Sequence, residues 1–147
     1  NINKLASEYS ITLVGSNRYQ QFRSIDVEHF HNLKLKYIAP YWTEYKKPST
    51  ISYFKKFKNN FYTEPNSFGM QGYDVAFYFL SALKNYGRDF NECLPFMNVD
   101  LIQGNYSFEK VSQFGGFMNQ GVSVISYEPN YEVVRKRVKG QAKFAQK

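Results

Sequence analysis

The segment 69–86 limits the fold most strongly, because its apolar residues recur at helical spacing and cover most of the helix circumference. The central stripe consists of Tyr73, Ala76, Phe77, Leu80 and Leu83, and it is widened by Phe79, Ala82 and Tyr86. A helix this apolar is predicted to be buried on most sides, so other elements must pack around it. Gly87 is predicted to end the helix, since glycine readily adopts the conformation needed after a helix C-terminus.

A second, amphipathic helix is predicted to begin at Ser49 or Thr50, because either hydroxyl can cap a helix N-terminus. Its apolar face, predicted to join the core, consists of Ile51, Phe54, Phe57 and Phe61. Its solvent face contains Lys55, Lys56 and Lys58. Lysines interleaved with aromatic residues also occur in proteins that grip single-stranded nucleic acid, but the helical periodicity favours the core for these phenylalanines.

Strand-like segments alternate with these helices. The predicted strands are residues 10–15, 33–39, 100–104, 106–111 and 122–127, and residues 131–138 are predicted to form a short helix. This alternation predicts an α/β fold with a partly parallel sheet. A length of 147 residues suits one domain. We expect residues 1–139 to form it and residues 140–147 to be a flexible basic tail.

The net charge of +7 is concentrated near the C-terminus, because six of the 19 Lys and Arg lie within the last 13 residues. They are Arg135, Lys136, Arg137, Lys139, Lys143 and Lys147. The rest of the chain is nearly neutral, so we expect a solvated basic tail on a neutral body. Binding of a polyanion through this tail stays open as an alternative, although nucleic acid is not the favoured partner.

Residues with metal-binding or nucleophilic chemistry are few. His29 and His31 lie two residues apart near Asp26 and Glu28, but two polar surface residues at a helix end are favoured over a zinc site. Cys93 is the only cysteine, and a free cysteine most often behaves as a small hydrophobe. We therefore predict no metal and no cofactor, and we find no residue pattern for nucleophilic catalysis, while catalysis by paired carboxylates stays open because their separation in space is not visible in the sequence.

An aromatic loop follows a predicted strand end and contains Tyr41, Trp42 and Tyr45. Ser16 and Asn17 follow the preceding predicted strand. Because ligands of open α/β sheets bind beyond the carboxyl ends of the strands, Ser16, Asn17, Tyr41 and Trp42 are candidate ligand-binding residues. The alternative is that Trp42 only buries the loop against the domain.

Several motifs resemble the second lobe of type I periplasmic substrate-binding proteins, the leucine/isoleucine/valine-binding class. They are Tyr53-Phe54-Lys55-Lys56-Phe57-Lys58-Asn59-Asn60-Phe61-Tyr62-Thr63-Glu64-Pro65, Phe68-Gly69-Met70-Gln71-Gly72-Tyr73-Asp74-Val75-Ala76, Leu80-Ser81-Ala82-Leu83-Lys84-Asn85-Tyr86-Gly87 and Gly104-Asn105-Tyr106-Ser107-Phe108. The resemblance covers roughly residues 5–135. It implies an incomplete, Rossmann-like three-layer lobe of a non-catalytic protein that serves amino acid uptake by an ABC transporter.

The resemblance also implies a location and a partner. Family members work in the periplasm or cell envelope and close two lobes on an amino acid. The given sequence has about half the family's length, so we expect it to be the second lobe without the first. Its first residues do not resemble a signal peptide, so we expect a mature product or a piece of a longer protein, and it contains no apolar run of membrane-spanning length. The family's ammonium-binding acid is expected near Asp26 or Glu28. Tyr73 is expected on the buried stripe, and Asp74 is expected to bond a nearby loop.

An alternative hypothesis is that the chain has the same fold but binds no ligand. The chain is then a structural or interaction domain of an envelope protein, linked to peptidoglycan-binding modules in some related proteins. In that case its aromatic residues, which make up 19% of the chain, serve contact with another chain or a second copy of itself.

Overall fold

The computed structural model describes residues 2–22 and 24–139, so the predicted basic tail at 140–147 lies outside the described residues. The α-helices are α1 (Ile2–Leu5), α2 (Val27–Asn32), α3 (Pro48–Phe61) and α4 (Ser67–Tyr86). The strands are β1 (Val14–Gly15), β2 (Lys36–Ala39), β3 (Phe108–Lys110), β4 (Phe117–Asn119), β5 (Gly121–Tyr127) and β6 (Val133–Lys139). Two 3-10 helices span Asn17–Gln21 and Gly87–Phe96. The fold class is α/β, as the alternation of patterns predicts.

The chain divides into two compact units. We name the first the sheet unit; it holds the chain up to Pro40 together with Val122–Val138. Its four strands follow the order β1-β2-β5-β6. Strands β1 and β2 are parallel, with Val14 opposite Lys36, and β2 and β5 are antiparallel, with Ile38 opposite Val124. The prediction of a partly parallel sheet is therefore confirmed.

Burial alternates along the two central strands of this sheet. Tyr37 and Ala39 of β2 and Ile125 of β5 are buried, because successive side chains of a strand point to opposite faces. The remaining buried apolar residues of this unit are Phe30, Leu33, Leu35 and Tyr127. Ile38, on the opposite face of β2, is 63% exposed. The core of the sheet unit therefore lies on one face of its sheet.

Residues 133–139 form strand β6, so the short helix predicted over 131–138 is wrong. Strand β6 is an edge strand of the sheet, and Arg135, Lys136 and Arg137 lie at its centre. Charged side chains on an edge discourage pairing with strands of other molecules. The Arg135 guanidinium also donates a 3.0 Å hydrogen bond from Nε to Oγ of Ser123 on β5. Four of the six Lys and Arg in the last 13 residues, at positions 135, 136, 137 and 139, are therefore part of the sheet.

We name the second compact unit the helical unit; it holds Tyr41–Gly121. Helix α3 starts after Lys47 with Pro48 in its first turn, so the predicted cap at Ser49 or Thr50 is wrong. Helix α4 starts after Asn66, whose Oδ1 accepts the Gly69 N–H at 2.8 Å. It ends where Gly87 adopts a φ of 72°, as predicted. No helix in the described part of the chain combines the length and apolar character needed to cross a bilayer.

The buried face of α4 differs from the predicted one. Its buried residues repeat every four positions and are Met70, Asp74, Tyr78 and Ala82. The predicted stripe is exposed, including Tyr73 at 40% and Leu80 at 64%. The prediction failed because its stripe followed apolar residues only, whereas the buried row of the helix includes the charged Asp74. The full burial of Asp74 is compensated by hydrogen bonds described below.

Helix α3 shows the same displacement. Its buried residues are Thr50 and Tyr53, whereas Ile51 is 42% exposed and Phe61 is 63% exposed. The prediction that Ile51 and Phe61 belong to the core is therefore wrong. Tyr53 instead forms a small core with Met70 of α4 and Ile102. A larger core of the same unit surrounds the fully buried ring of Tyr78.

We predict that Gly72→Ala raises the free energy of unfolding by about 1 kcal/mol, because a glycine inside a helix costs that much relative to alanine. A Cβ atom at Gly72 meets no atom within 4 Å, so nothing in the fold opposes it. Urea denaturation measures the change. Gly87→Ala is the matched control and should destabilise, because its φ of 72° strains any residue with a Cβ. A Gly72→Ala variant less stable than the wild type would contradict the placement of Gly72 at an open position inside helix α4.

Candidate ligand-binding site

The Asp74 carboxylate organises the loop that follows Asp100. Its Oδ1 accepts the N–H of Ile102 at 2.7 Å, and its Oδ2 accepts the N–H groups of Gln103 and Gly104 at 2.9 and 2.8 Å. Asp74 is fully buried, so these charge-assisted bonds replace the water that the carboxylate lost. The expectation that Asp74 bonds a nearby loop is confirmed.

These bonds also explain why residues 100–104 do not form the predicted strand. The backbone N–H groups of residues 102–104 donate to the Asp74 carboxylate instead of to a neighbouring strand. Leu101 and Ile102 are still buried, which gave the segment its strand-like composition. The loop is therefore irregular in backbone conformation and fixed in position.

Gln103 links this loop to the start of the helical unit. Its side-chain Nε2 donates to the Ser67 carbonyl at 2.9 Å, and its backbone carbonyl accepts the N–H of Trp42 at 3.0 Å. The backbone at Trp42 is thus held through Gln103 by the same loop that Asp74 organises.

Tyr41 is fixed in place and still accessible. Its Oη accepts a 2.6 Å hydrogen bond from Nε2 of Gln71 on α4, and the residue is 40% exposed. A tyrosine held by its hydroxyl presents its ring to a ligand at little entropic cost. Tyr41 and Gln71 therefore form an ordered aromatic and amide surface.

Tyr106 completes this cluster. Its ring packs against Gly104, where an added Cβ would lie 3.2 Å from two ring carbons. Burial raises the pKa of Tyr106 to about 12, and electrostatic interactions with Tyr41 and Asp74 add to the effect. The Tyr106 hydroxyl therefore keeps its proton at neutral pH. We name the cluster the Tyr41 site; it consists of Tyr41, Trp42, Gln71, Gln103 and Tyr106.

The Tyr41 site offers aromatic surface beside the half-buried amide of Gln71, which suits a small polar or amphipathic ligand. Tyr41 and Trp42 were candidates from the sequence. The structure bonds the Tyr41 hydroxyl to Gln71 of α4 and the Trp42 N–H to the Gln103 carbonyl. Gln71 and Gln103 were missed. Gln71 bonds Tyr41 and Gln103 bonds Ser67, and in each case the partner lies 30 or more residues away in the chain. No local pattern in the sequence indicates such distant partners.

The other candidate residues, Ser16, Asn17 and Asp26, lie in the sheet unit. Ser16 precedes the first 3-10 helix, where its Oγ accepts the Arg18 N–H at 3.4 Å and donates to Oδ1 of Asn17 at 3.2 Å. Asp26 caps α2 by accepting the N–H of Glu28 at 3.1 Å. These are local structural roles, and a role in ligand binding stays a prediction for all three residues.

The histidine pair does not behave as two surface residues. His31 is 4% exposed, and its Nδ1 lies 2.6 Å from the carbonyl oxygen of Glu128. Its ring contacts Tyr127 and Tyr131 at centroid distances of 4.9 and 5.1 Å. The prediction of a surface position is wrong for His31, which belongs to the core of the sheet unit. Within residues 2–22 and 24–139, no three His, Cys, Asp or Glu residues are grouped to hold a metal ion.

Comparisons with known proteins give one distant similarity in structure. No protein-family profile matches the sequence, and no curated protein matches it. Among solved structures, a branched-chain amino acid ABC transporter periplasmic ligand-binding protein from Burkholderia xenovorans LB400 is similar, with 15% sequence identity and a TM-score of 0.47. The alignment covers 94% of this chain and 40% of that one. At this level of similarity, the function of that protein is not transferred to this chain.

We predict that Asp74→Ala destabilises the protein by about 3 kcal/mol or more, because three buried N–H groups lose their acceptor at once. Asp74→Asn keeps one oxygen and should destabilise less. Urea denaturation of both variants measures the losses, with Asp89→Asn as a control at an exposed position, expected within about 0.5 kcal/mol of the wild type. Equal stability of Asp74→Ala and the wild type would show that the loop does not depend on the carboxylate.

We predict that stability falls between pH 10 and pH 12 partly through Tyr106. Its folded-state pKa of about 12 exceeds the ordinary value of 10.0, so in this interval the folded form binds more protons than the unfolded form. Tyr106→Phe should therefore lose less stability than the wild type as pH rises from 9 to 11.5, measured by urea denaturation. Tyr62→Phe, at a residue 91% exposed, should keep the wild-type slope. Parallel slopes for Tyr106→Phe and the wild type would refute the assignment.

Proposed function

We propose that this chain is a non-catalytic ligand-binding lobe of a cell-envelope substrate-binding protein, located in the periplasm or on the envelope. Its ligand is an amino acid or a similar small molecule, bound at the Tyr41 site. The chain supplies one side of the binding cleft, and a first lobe supplies the other.

The observation that carries this proposal is the fixed position of the Tyr41 side chain and of the adjoining backbone at Trp42. Gln71 holds the Tyr41 hydroxyl, and Gln103 holds the backbone of Trp42. Both contacts depend on α4 or on the loop that Asp74 organises. An aromatic surface ordered before binding loses little conformational entropy when a ligand arrives, which favours binding of small molecules.

The sequence resemblance supports the same function. The residues that resemble the periplasmic substrate-binding family include Gln71 and Asp74, and these two residues place Tyr41 and the loop at 102–104. Ser16, Asn17 and Asp26, which belong to the sheet unit, are proposed as ligand-binding residues of that unit by itself. Their side-chain oxygens already form hydrogen bonds with residues one or two positions away in the chain. A ligand must therefore replace these hydrogen bonds or add to them.

An interaction domain is the second candidate function. It is favoured by the exposed apolar face of α4, where Phe77 is 42% exposed, Leu80 is 64% exposed and Leu83 is 45% exposed. An apolar surface of this kind is typical of contact with another chain.

Trp42 allows a direct test, because it is the only tryptophan of the chain. We predict that leucine, isoleucine, valine or another amino acid causes a saturable change in tryptophan emission, confirmed by calorimetry. Tyr41→Phe should weaken binding by roughly fivefold to tenfold, the cost of one hydrogen bond. Tyr45→Phe, in the same segment and 65% exposed, should bind like the wild type.

Two outcomes contradict the ligand-binding proposal. One is the absence of a saturable change with every amino acid and with peptidoglycan fragments, on both this chain and a longer chain carrying a first lobe. The other is equal weakening by Tyr41→Phe and Tyr45→Phe. In the first case, a dimer in sedimentation would favour the interaction domain.

A further inference from the structure

A groove of about 460 Å³ lies between α3 and the first turns of α4, entirely within the helical unit. We name it the α3–α4 groove. Its volume falls within the range of roughly 300–1,000 Å³ that is usual for small-molecule sites. Along α3 it extends from Ser49 to Phe61, a rise of about 18 Å at 1.5 Å per residue, so it is long and narrow. It shares no residue with the Tyr41 site.

The α3 wall of this groove has two parallel rows of side chains. Tyr53, Phe57 and Phe61 repeat every four residues and form an aromatic row, and Ser52, Lys56 and Asn60 form a polar row beside it. Residues four apart lie on the same side of a helix, so each row runs along the groove. One wall is therefore apolar along one line and polar along the next.

The aromatic rings form a continuous surface. Ring centroids of Tyr53 and Phe57 are 5.8 Å apart, and those of Phe57 and Phe61 are 4.6 Å apart. Tyr73 of α4 continues this surface at 4.6 Å from Tyr53. Phe61 is 63% exposed and Tyr73 is 40% exposed, so the surface still faces solvent. Covering it with an apolar group would be favourable.

The polar row carries a positive charge at Lys56. The Lys56 ammonium has no ion-pair partner among the residues that the structure describes, and Lys55 precedes it on the same helix. The described ion pair at this end of α3 joins Lys58 and Glu64 at 3.9 Å, and both of its side chains are exposed. The groove therefore attracts an anion beside an apolar surface.

The wall of the groove also contains a buried hydroxyl. Tyr53 lines the groove and is 8% exposed, and its Oη has no hydrogen-bond partner within the described part of the chain. Buried polar atoms of this kind are rare in folded proteins, and a bound molecule is one of the ways in which they are satisfied.

We infer that the α3–α4 groove binds an amphipathic carboxylic acid, with its apolar body along the aromatic row and its carboxylate at Lys56. Single-stranded nucleic acid fits less well, because one lysine lines the groove and its aromatic rings pack on each other instead of standing apart to stack on bases. This inference is independent of the Tyr41 site, so either one can fail without the other.

Calorimetric titration of the full chain tests the charge requirement with three ligands that share one apolar body: decanoate, 1-decanol and decyltrimethylammonium. Decanoate should bind at one site per chain and at least tenfold more tightly than the other two. Lys56→Gln should weaken decanoate binding by roughly tenfold, and Lys55→Gln, at the neighbouring exposed lysine, by less than twofold. Higher salt should also weaken it, since the attraction is electrostatic.

A second pair of variants tests the place of binding. A Cβ at Gly69 would lie 4.0 Å from the Phe57 ring, so Gly69→Leu puts a side chain into the groove and should abolish binding. Gly72→Leu adds the same side chain on α4 where nothing lies within 4 Å, and should bind decanoate like the wild type. Thermal unfolding checks that both variants are folded. If Gly69→Leu does not fold, the comparison of Lys56→Gln with Lys55→Gln tests the place of binding instead.

Any of four results would overturn the inference. They are no heat of binding with decanoate, equal affinity for decanoate and 1-decanol, equal weakening by the two lysine substitutions, and tighter binding of oligo(dT) than of decanoate to the same groove. Without heat of binding, the groove takes no ligand of this class. Equal affinity for decanoate and 1-decanol would mean that binding is purely apolar, and equal weakening by the two lysine substitutions would mean a general electrostatic effect. Tighter binding of oligo(dT) would make the groove a nucleic-acid site.

Discussion

The buried carboxylate of Asp74 is the interaction on which the helical unit depends. A charged group without water is stable only when other dipoles replace its hydration, and three backbone N–H groups of residues 102–104 do so at 2.7–2.9 Å. These groups would otherwise need a neighbouring strand. The Asp74 side chain therefore accepts the hydrogen bonds that a neighbouring strand would otherwise accept. This keeps the irregular loop in place, and the Gln103 carbonyl of that loop accepts the N–H of Trp42.

Burial of Asp74 also determines what α4 shows to solvent. The row that contains Asp74 also contains Met70, Tyr78 and Ala82, and it faces the core. Because residues that follow one another in a helix are rotated by about 100°, Tyr73 and Phe77 then lie on an adjacent face and stay partly exposed. The aromatic surface of the α3–α4 groove and the fixed loop of the Tyr41 site are thus two consequences of the same orientation of one helix.

The positions of elements could be predicted from the sequence better than their faces. The end of α4 at Gly87 followed from the conformational freedom of glycine. The buried face of α4 did not follow from the sequence, because Asp74 is a charged residue that the core accepts. Strand β6 was missed because an edge strand with Val133 and Arg135 exposed or half-buried shows no clear alternation. In the candidate site, Tyr41 and Trp42 were predictable from a loop rich in aromatic residues. Gln71 and Gln103 were not, since only the folded chain brings them to their partners.

The two candidate sites differ in how they are prepared for a ligand. At the Tyr41 site the polar groups already form hydrogen bonds within the protein. A ligand is favoured because the site is ordered before binding, and its hydrogen bonds must be at least as strong as those that it replaces. In the α3–α4 groove the Lys56 charge and the Tyr53 hydroxyl have no partner among the described residues, so a ligand gains from unmet attraction. The Tyr41 site should therefore be the more selective of the two, because a molecule must match hydrogen bonds that the protein already makes. The groove should accept a wider range of apolar anions, since a single charge and a row of rings set few geometric demands.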